Sequence, residues 1–223
     1  MQNLTLQVLE SYRGFIFDMD GLLLDTERMS FEIWERVSKD AGFDLTKKIF
    51  ASIVGTTGEE CHRRLRKALG SHFPAEDLRK KRTELFEERV QSEGIPALPG
   101  ALPLLLALKS RPQIKVALVT STKDPGASAR LKSGKIFEFF DMIATGDLVK
   151  NLKPDPEIYL YALDKLQIPR NECVAFEDSG LGVEAAHAAG IEVIMVPNMY
   201  QPNETDRQRA KMVINSLSEL MKA

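Results

Sequence analysis

Residues 15–26, FIFDMDGLLLDT, constrain the fold of this chain more than any other segment. They overlap the apolar run Gly14–Phe17, which is long enough for a buried strand and too short for a helix. Asp18 and Asp20 follow, and Gly21 then allows the backbone to turn sharply. Carboxylates at the carboxyl end of a buried strand lie where open α/β sheets bind ligands. An acid at a strand end is also a common turn former, so this segment alone leaves both interpretations open.

Length and composition narrow the class of protein. A chain of 223 residues forms one large or two small domains with ample material for a core. Apolar residues make up 43% and charged residues 28%, as in an ordinary soluble protein. A net charge of −2 gives no electrostatic case for nucleic acid. Residues 1–13 lack the apolar stretch of a signal peptide, and no run reaches membrane-spanning length. We therefore predict a cytoplasmic monomer that binds neither nucleic acid nor membranes.

The two cysteines fit no disulfide framework and no metal-binding spacing. Cys61 and Cys173 lie far apart in the sequence, and neither belongs to a C-x-x-C pair. We predict that both are free thiols that pack as small buried residues in a reducing compartment.

Helical patterns without a convincing strand follow the first acidic segment. Thr26 is the predicted N-cap of the first helix, and Gly42 ends it. The apolar stripe of this helix consists of Met29, Ile33, Trp34, Val37 and Ala41. Further helices are predicted at 46–54, 59–69 and 75–93. Because these helices are amphipathic, they need partners, and a small all-helical bundle supplies them.

Two basic clusters lie within this helical stretch, at 63–67 and 79–82. Both are interleaved with other side chains along helices, which favours a solvated helix face. Guidance of an anionic substrate is the alternative.

From Pro99 onwards strands and helices alternate. Strands are predicted at 115–119, 142–144, 173–176 and 192–196, and a final strand and helix close the chain. Helices are predicted at 101–109, between the first two of these strands, from Pro156, and at 181–189. This alternation is typical of a parallel sheet with helices on both faces, the α/β class. The preceding helical stretch is then an insertion, with hinges near 23–27 and 94–100.

Three later segments carry polar side chains next to strands or helix starts. Thr120-Ser121-Thr122 follows a strand, where hydroxyl and backbone N–H groups can hold a phosphate. Lys153 stands just outside a helix start, where its ammonium can neutralise an anion. Glu177-Asp178 ends another apolar strand, and hard oxygen ligands at two strand tips suit Mg²⁺. Each segment taken singly can also be explained as a cap, a surface lysine or a turn.

The string Asp18-Met19-Asp20-Gly21, with Asp25-Thr26, resembles the first motif of the haloacid dehalogenase (HAD) superfamily, in its β-phosphoglucomutase-like phosphatase branch. The order DMDG, TST, KP and ED is that of the HAD motifs, and the resemblance covers essentially the whole chain. It implies a Rossmann-like α/β core with a central parallel sheet, formed by residues 1–25 and 96–223. It also implies an inserted small all-helical cap domain, residues 26–95.

The resemblance implies roles for individual residues. Asp18 would attack phosphorus to give an aspartyl-phosphate, and Asp20 would act as general acid and then base. Further residues would hold the phosphoryl group or the substrate, namely Thr120, Ser121 and Lys153 in the core and Gly55, Thr56 and Thr57 in the cap loop. The Mg²⁺ ligands would be Asp18, the backbone carbonyl of Asp20, Asp178 and Glu177.

Electrostatics supports the need for a cation. Carboxylates that face a phosphate dianion repel it, and each unit pair at ~4 Å costs about 4 kcal/mol at an effective dielectric of about 20. Mg²⁺ and Lys153 would turn this repulsion into attraction.

Departures from the family patterns favour a phosphatase of a small phosphorylated metabolite, a sugar phosphate or a nucleoside monophosphate. Dehalogenases and phosphonate-cleaving members lack the acid found here at Asp20. β-Phosphoglucomutases carry a His and an Arg where this chain has Ser30 and, by alignment, Gly58, which makes a mutase the alternative. A receiver-like signalling module is a further alternative, and it is disfavoured because it would be about half the length of this chain. A non-catalytic phosphometabolite-binding regulator would usually lack Asp18 or Asp20.

Overall fold

The computed structural model describes residues 9–56 and 58–221, and six strands lie within these ranges. They are β1 (Gly14–Phe17), β2 (Lys115–Val119), β3 (Met142–Ala144), β4 (Cys173–Glu177), β5 (Glu192–Met195) and β6 (Met212–Val213). They form one sheet in the order β3-β2-β1-β4-β5-β6, and every neighbouring pair is parallel. The predicted parallel α/β sheet is confirmed.

Strand β1 lies at the point where the sheet changes direction. From β1 the chain builds outwards through β2 to β3, and then returns to place β4 on the other side of β1. In open α/β sheets the carboxyl ends of strands at such a switch point border a ligand-binding crevice. In the register of β1 and β4, Phe17 pairs with Phe176, so the next residues, Asp18 and Glu177, emerge side by side.

The α-helices of the described ranges connect and cover these strands. They are α1 (Thr26–Asp40), α2 (Lys47–Ala51), α3 (Gly58–Leu69), α4 (Ala75–Glu93), α5 (Ala101–Lys109), α6 (Gly126–Ser133), α7 (Glu157–Leu166), α8 (Gly180–Ala188) and α9 (Glu204–Arg209). Short 3₁₀ helices occupy Phe137–Phe139, Arg170–Glu172 and Leu217–Met221. The described chain contains no helix that is long and apolar enough to cross a membrane.

The two faces of the sheet pack against different helices. Along β1, Phe15 and Phe17 join the core that includes residues of α1, α4, α5 and α6, whereas Ile16 joins the core of α7 and α8. This division follows from the two-residue period of a strand. The rings of Phe17 and Phe176 stack with centroids 4.6 Å apart, which fixes β1 and β4 together on the first face.

Helices α1 to α4 lie between β1 and α5 in the chain, and the two segments that connect them to the sheet run side by side. Asp25 donates its backbone N–H to the Pro96 carbonyl over 3.0 Å, and Leu98 donates to the Leu23 carbonyl over 2.8 Å. These bonds fall within the two predicted hinge regions. The division into a core and a cap domain remains a prediction.

Local details differ from the sequence prediction. Helix α1 begins at Thr26 itself, Asp25 occupies the N-cap position, and the Thr26 hydroxyl is buried without a partner in the structure. Ala41 is exposed as the C-cap residue, so it does not extend the buried stripe. Helix α9 was not expected; its N-cap Asn203 and Asp206 form a capping box. Cys61 and Cys173 are both buried free thiols, as predicted.

Gly100, the residue before α5, offers a test of this packing. Its φ is +87°, and a Cβ there would collide with the backbone of Leu217 and Ser218. Gly42 has a similar φ of +83°, but a Cβ there would meet nothing within 4 Å. We expect Gly42→Ala to lower the free energy of unfolding by about 1 kcal/mol. Gly100→Ala should lower it by about 3 kcal/mol or more, because backbone must also move.

Urea unfolding of the two variants and the wild type, followed by circular dichroism, measures the difference. Equal losses for both variants would show that the 217–221 segment does not pack against Gly100 in solution.

Candidate active site

The polar segments predicted from the sequence meet at the carboxyl edge of the sheet. One cavity of about 570 Å³ is lined by Asp18 and Asp20 after β1, by Thr120 and neighbouring residues after β2, and by Asp178 after β4. Lys153, from the segment between β3 and α7, lines the same cavity. The parallel arrangement explains this meeting, because all strand ends of one direction lie on one edge.

Lys153 connects the acids of β1 and β4. Its Nζ lies 2.5 Å from Asp18 Oδ1 and 2.6 Å from Glu177 Oε1. The Lys153 side chain is only 6% exposed. Burial disfavours the ammonium ion, but the charges of Asp18 and Glu177 outweigh burial and raise the pKa of Lys153 above its usual value. Lys153 therefore stays charged in the site.

Three buried carboxyl groups form a compact acidic cluster: Asp18, Glu177 and Asp178. One oxygen from each lies within 4.8 Å of the others. Tyr159 and Lys153 both donate to Glu177 Oε1, whereas the buried Glu177 Oε2 has no partner in the structure. Burial raises the pKa of Asp18 to about 8, and burial and Glu27 raise that of Asp178 well above its usual value.

This cluster has the properties expected of a site for a divalent cation. Its members are hard oxygen donors, one oxygen is unsatisfied, and Lys153 supplies only one positive charge for three carboxyl groups. A cation among these oxygens would favour the ionised carboxylates that burial disfavours. The donor set therefore fits Mg²⁺.

Asp20 is held by residues that follow β2. Its carboxylate accepts from the Thr122 hydroxyl over 2.7 Å and from the Thr120 hydroxyl over 3.5 Å, and it forms a 3.0 Å ion pair with Arg130. Arg130 also pairs with Glu87 of α4 over 2.8 Å. The sequence did not point to Arg130, because it lies eight residues beyond Thr122 on a helix without a motif.

Glu27 is another site residue that the sequence did not reveal. It is 8% exposed and accepts a 3.0 Å hydrogen bond from the Met199 backbone N–H. The carboxyl groups of Glu27 and Asp178 both lie against Gly21, where a Cβ would collide with them. Burial raises the pKa of Glu27 to about 7. An acid in the first turn of a helix ordinarily stabilises the helix through its interaction with the helix dipole. The position of Glu27 in the sequence therefore gave no indication of a functional role.

Residues of α1 to α4 and their connections complete the cavity wall. Gly55 and Thr56 line the cavity as expected, but the Thr56 hydroxyl donates to the Ile53 carbonyl over 2.6 Å. Thr57, the third predicted cap-loop residue, lies outside the described residues. Ser121 lines the cavity next to Thr120.

The prediction of a solvated basic face is wrong for Arg82. This residue lines the cavity, donates to the Ser30 hydroxyl and has a buried Nε. Arg79, one helical turn earlier, also lines the cavity and is exposed. The neighbouring Lys80 and Lys81 are exposed, as predicted.

Comparisons with known proteins show which family this chain belongs to. The family described as haloacid dehalogenase-like hydrolase matches residues 15–196. A phosphorylated carbohydrates phosphatase of Thermotoga maritima is 43% identical over 179 residues, which cover 80% of this chain and 82% of the relative.

Two solved structures share the fold over nearly the full length. CbbY from Rhodobacter sphaeroides, in complex with phosphate, has a TM-score of 0.73 and 29% identity, with 93% of this chain and 96% of that chain covered. β-Phosphoglucomutase from Clostridium difficile has a TM-score of 0.71 and 26% identity, with coverages of 94% and 93%. The chain belongs to the haloacid dehalogenase-like hydrolase family, in its β-phosphoglucomutase-like phosphatase branch.

Proposed function

We propose that this phosphatase is Mg²⁺-dependent and hydrolyses a small phosphorylated metabolite, a sugar phosphate or a nucleoside monophosphate, through an aspartyl-phosphate. The observation that carries the proposal is the single cavity shared by Asp18, Asp20, Thr120 and Lys153, beside the acidic cluster. The Thermotoga maritima relative, named as a phosphatase of phosphorylated carbohydrates, supports the sugar phosphate class.

Asp18 is the proposed nucleophile. One of its oxygens is held by Lys153, and the same ammonium can contact a phosphoryl oxygen as negative charge moves onto the transferring group. Thr120 and Ser121 would supply hydroxyl and backbone N–H groups to the remaining phosphoryl oxygens. Bound Mg²⁺, held by Asp18, Asp178, the Asp20 backbone carbonyl and Glu177, would neutralise the phosphate dianion and favour ionised Asp18.

Asp20 is the proposed proton carrier. An Asp18 oxygen forms the bond to phosphorus as the bond to the leaving oxygen breaks, and Asp20 gives that oxygen its proton. In the second step Asp20 takes a proton from a water molecule, whose oxygen attacks phosphorus and releases Asp18 and inorganic phosphate. Contacts with Thr122 and Arg130 would orient the Asp20 carboxyl for both transfers.

We also propose the domain division that fits this chemistry. Residues 1–25 and 96–223 would form the catalytic core, and residues 26–95 would form a helical cap that covers the reacting group. The adjacent connections at Asp25–Pro96 and Leu23–Leu98 support a shared hinge.

A phosphosugar mutase is the second candidate, and one observation favours it. The guanidinium of Arg79 lies where a Cβ at Gly58 would be, beside the position of the mutase arginine in the alignment. An arginine from α4 can therefore reach a region that the cap loop itself leaves without a cation. Ser30, which replaces the mutase histidine and instead accepts from Arg82, favours hydrolysis.

Replacement of Asp18 tests the covalent mechanism. Asp18→Asn keeps the shape of the side chain but removes the nucleophile, so turnover should fall by at least about 10³-fold. Phosphate release is measured with Mg²⁺, and circular dichroism checks the fold. Asp77→Asn, an exposed acid in the first turn of α4, is the matched control and should keep wild-type turnover. Retention of more than a few per cent of activity by Asp18→Asn contradicts the proposal.

A second measurement separates hydrolysis from isomerisation. The wild-type protein is supplied with β-glucose 1-phosphate and a trace of glucose 1,6-bisphosphate. Release of inorganic phosphate should exceed formation of glucose 6-phosphate, because Ser30 replaces the mutase histidine. Accumulation of glucose 6-phosphate without inorganic phosphate would establish the mutase alternative.

The acid role of Asp20 predicts a dependence on the leaving group. Asp20→Asn should slow phosphoenzyme formation by about 10²-fold or more with an alkyl phosphate, whose alkoxide needs a proton. An activated aryl phosphate should lose much less, because its leaving group needs little protonation. Single-turnover kinetics with both substrates measures this step alone. Equal losses would leave Asp20 as a positioning residue.

A further inference from the structure

A chain of ion pairs connects Asp20 to helix α4. Arg130 of α6 donates from Nη1 to Asp20 Oδ1 over 3.0 Å and from Nη2 to Glu87 Oε1 over 2.8 Å. Glu87 belongs to α4, so its carboxylate joins the helical segment to α6. The described wall of the cavity includes Arg130 but not Glu87. Any influence of Glu87 on the reaction must therefore pass through another residue.

Arg130 is held from several directions. Its side chain is 14% exposed, and its guanidinium carbon lies 4.8 Å from the centroid of the Phe86 ring. Nη1 also donates to the Thr122 hydroxyl over 3.2 Å, and that hydroxyl in turn donates to Asp20. Burial disfavours the positive charge, but Asp20 and Glu87 outweigh burial and raise the pKa of Arg130 above its usual value. Arg130 is therefore a permanent cation beside Asp20.

The contact with Glu87 limits where this cation can point. A guanidinium is planar and its N–H groups diverge in fixed directions, so an acceptor at Nη2 restricts the direction of Nη1. Without the Glu87 carboxylate, Asp20 would be the remaining carboxylate within 4.0 Å of Arg130 among residues 9–56 and 58–221. Arg130 could then turn and bind both Asp20 oxygens. A carboxylate held by both oxygens carries protons poorly, because neither oxygen is free to meet the leaving group or a water molecule.

A purely structural role is the competing explanation for Glu87. The guanidinium of Arg82 lies 4.7 Å from the centroid of the same Phe86 ring, and the charges of Glu87 and Arg130 act on Arg82 in opposite directions. Glu87 thus also offsets repulsion between two arginines. Relief of this repulsion would affect the stability of the packing or all substrates alike. It would depend neither on the leaving group nor on the presence of the Asp20 carboxyl.

We propose that Glu87 is a positioning residue for the proton transfers of Asp20 and that it acts through Arg130. The inference rests on the proposed function and adds to it a residue of α4 that lies outside the cavity wall. Glu87 holds Nη2, so Nη1 meets Asp20 at Oδ1 while the Thr122 hydroxyl donates to Oδ2. Asp20 is thereby oriented without being held by one guanidinium at both oxygens.

Two leaving groups of different basicity test this role. Release of the phenol in a single turnover is measured with Mg²⁺ from phenyl phosphate and from p-nitrophenyl phosphate. The two compounds present the same phosphoryl group, but the phenolate needs a proton more than the nitrophenolate does. Glu87 is 36% exposed, so Glu87→Ala does not empty a packed core. It should slow phenyl phosphate by about tenfold and p-nitrophenyl phosphate by less than about threefold, with little change in half-saturation. Equal losses for the two compounds overturn the proposal.

Double-mutant cycles show whether Glu87 acts through the named partners. In the Asp20→Asn background Glu87→Ala should slow phenyl phosphate by less than about twofold, because the group that it positions is already lost. The same is expected in the Arg130→Met background. A further tenfold loss in either background rejects the assignment. Asp20→Asn alone tests the proposed function: a larger loss with phenyl phosphate keeps the acid role whatever Glu87 does, and equal losses remove that role and this inference with it.

Glu88→Ala is the matched control, since it removes the same charge from the next, exposed residue of α4. This variant should keep wild-type rates with both compounds. Urea unfolding followed by circular dichroism checks that all variants are folded in the assay. A loss in Glu88→Ala as large and as selective as that in Glu87→Ala would show that only the overall charge of α4 matters, and it would overturn the proposal.

Discussion

The site depends on one buried ammonium group held between two carboxylates of neighbouring strands. Lys153 contacts Asp18 after β1 and Glu177 at the end of β4, and the parallel register of those strands places the two acids side by side. Taking these charges out of water is costly, so the arrangement requires good geometry and close pairing. Loss of Lys153 would leave the buried carboxylates without a compensating positive charge. The stacked Phe17 and Phe176 rings, one residue earlier on each strand, support that geometry.

The fold was predictable because its signals are local. Each of the first five strands appears in the sequence as a short apolar run. The polar residues that follow these runs lie close together, because parallel strands end on one edge of the sheet. Asp18, Asp20, Thr120 and Lys153 line one cavity, although their roles remain predictions. Errors concerned single positions, such as Thr26 as N-cap, where neighbouring residues can serve equally well, and the short helix α9, which was missed.

Residues that act through long-range contacts could not be predicted in this way. The Glu27 carboxylate is positioned by a hydrogen bond from the Met199 backbone. The Arg130 guanidinium is positioned by ion pairs with Asp20 and Glu87. The Arg82 guanidinium is positioned by its contacts with Ser30 and Phe86. In the sequence these side chains look like ordinary charges on amphipathic helices, which usually face water. Only tertiary structure shows that these three face a common cavity.

The paired connections at Asp25–Pro96 and Leu23–Leu98 have a consequence for how this architecture can diversify. The chain leaves the sheet and returns to it at adjacent points, so changes in the length or sequence of the intervening helices do not pull β1 and β2 apart. Closing a longer loop between fixed ends costs little additional entropy. The helical segment can therefore be replaced as a unit without a change in the arrangement of the strands. Under the proposed function, side chains of the helical segment that contact the rest of the substrate could vary while the residues at the strand ends stay unchanged.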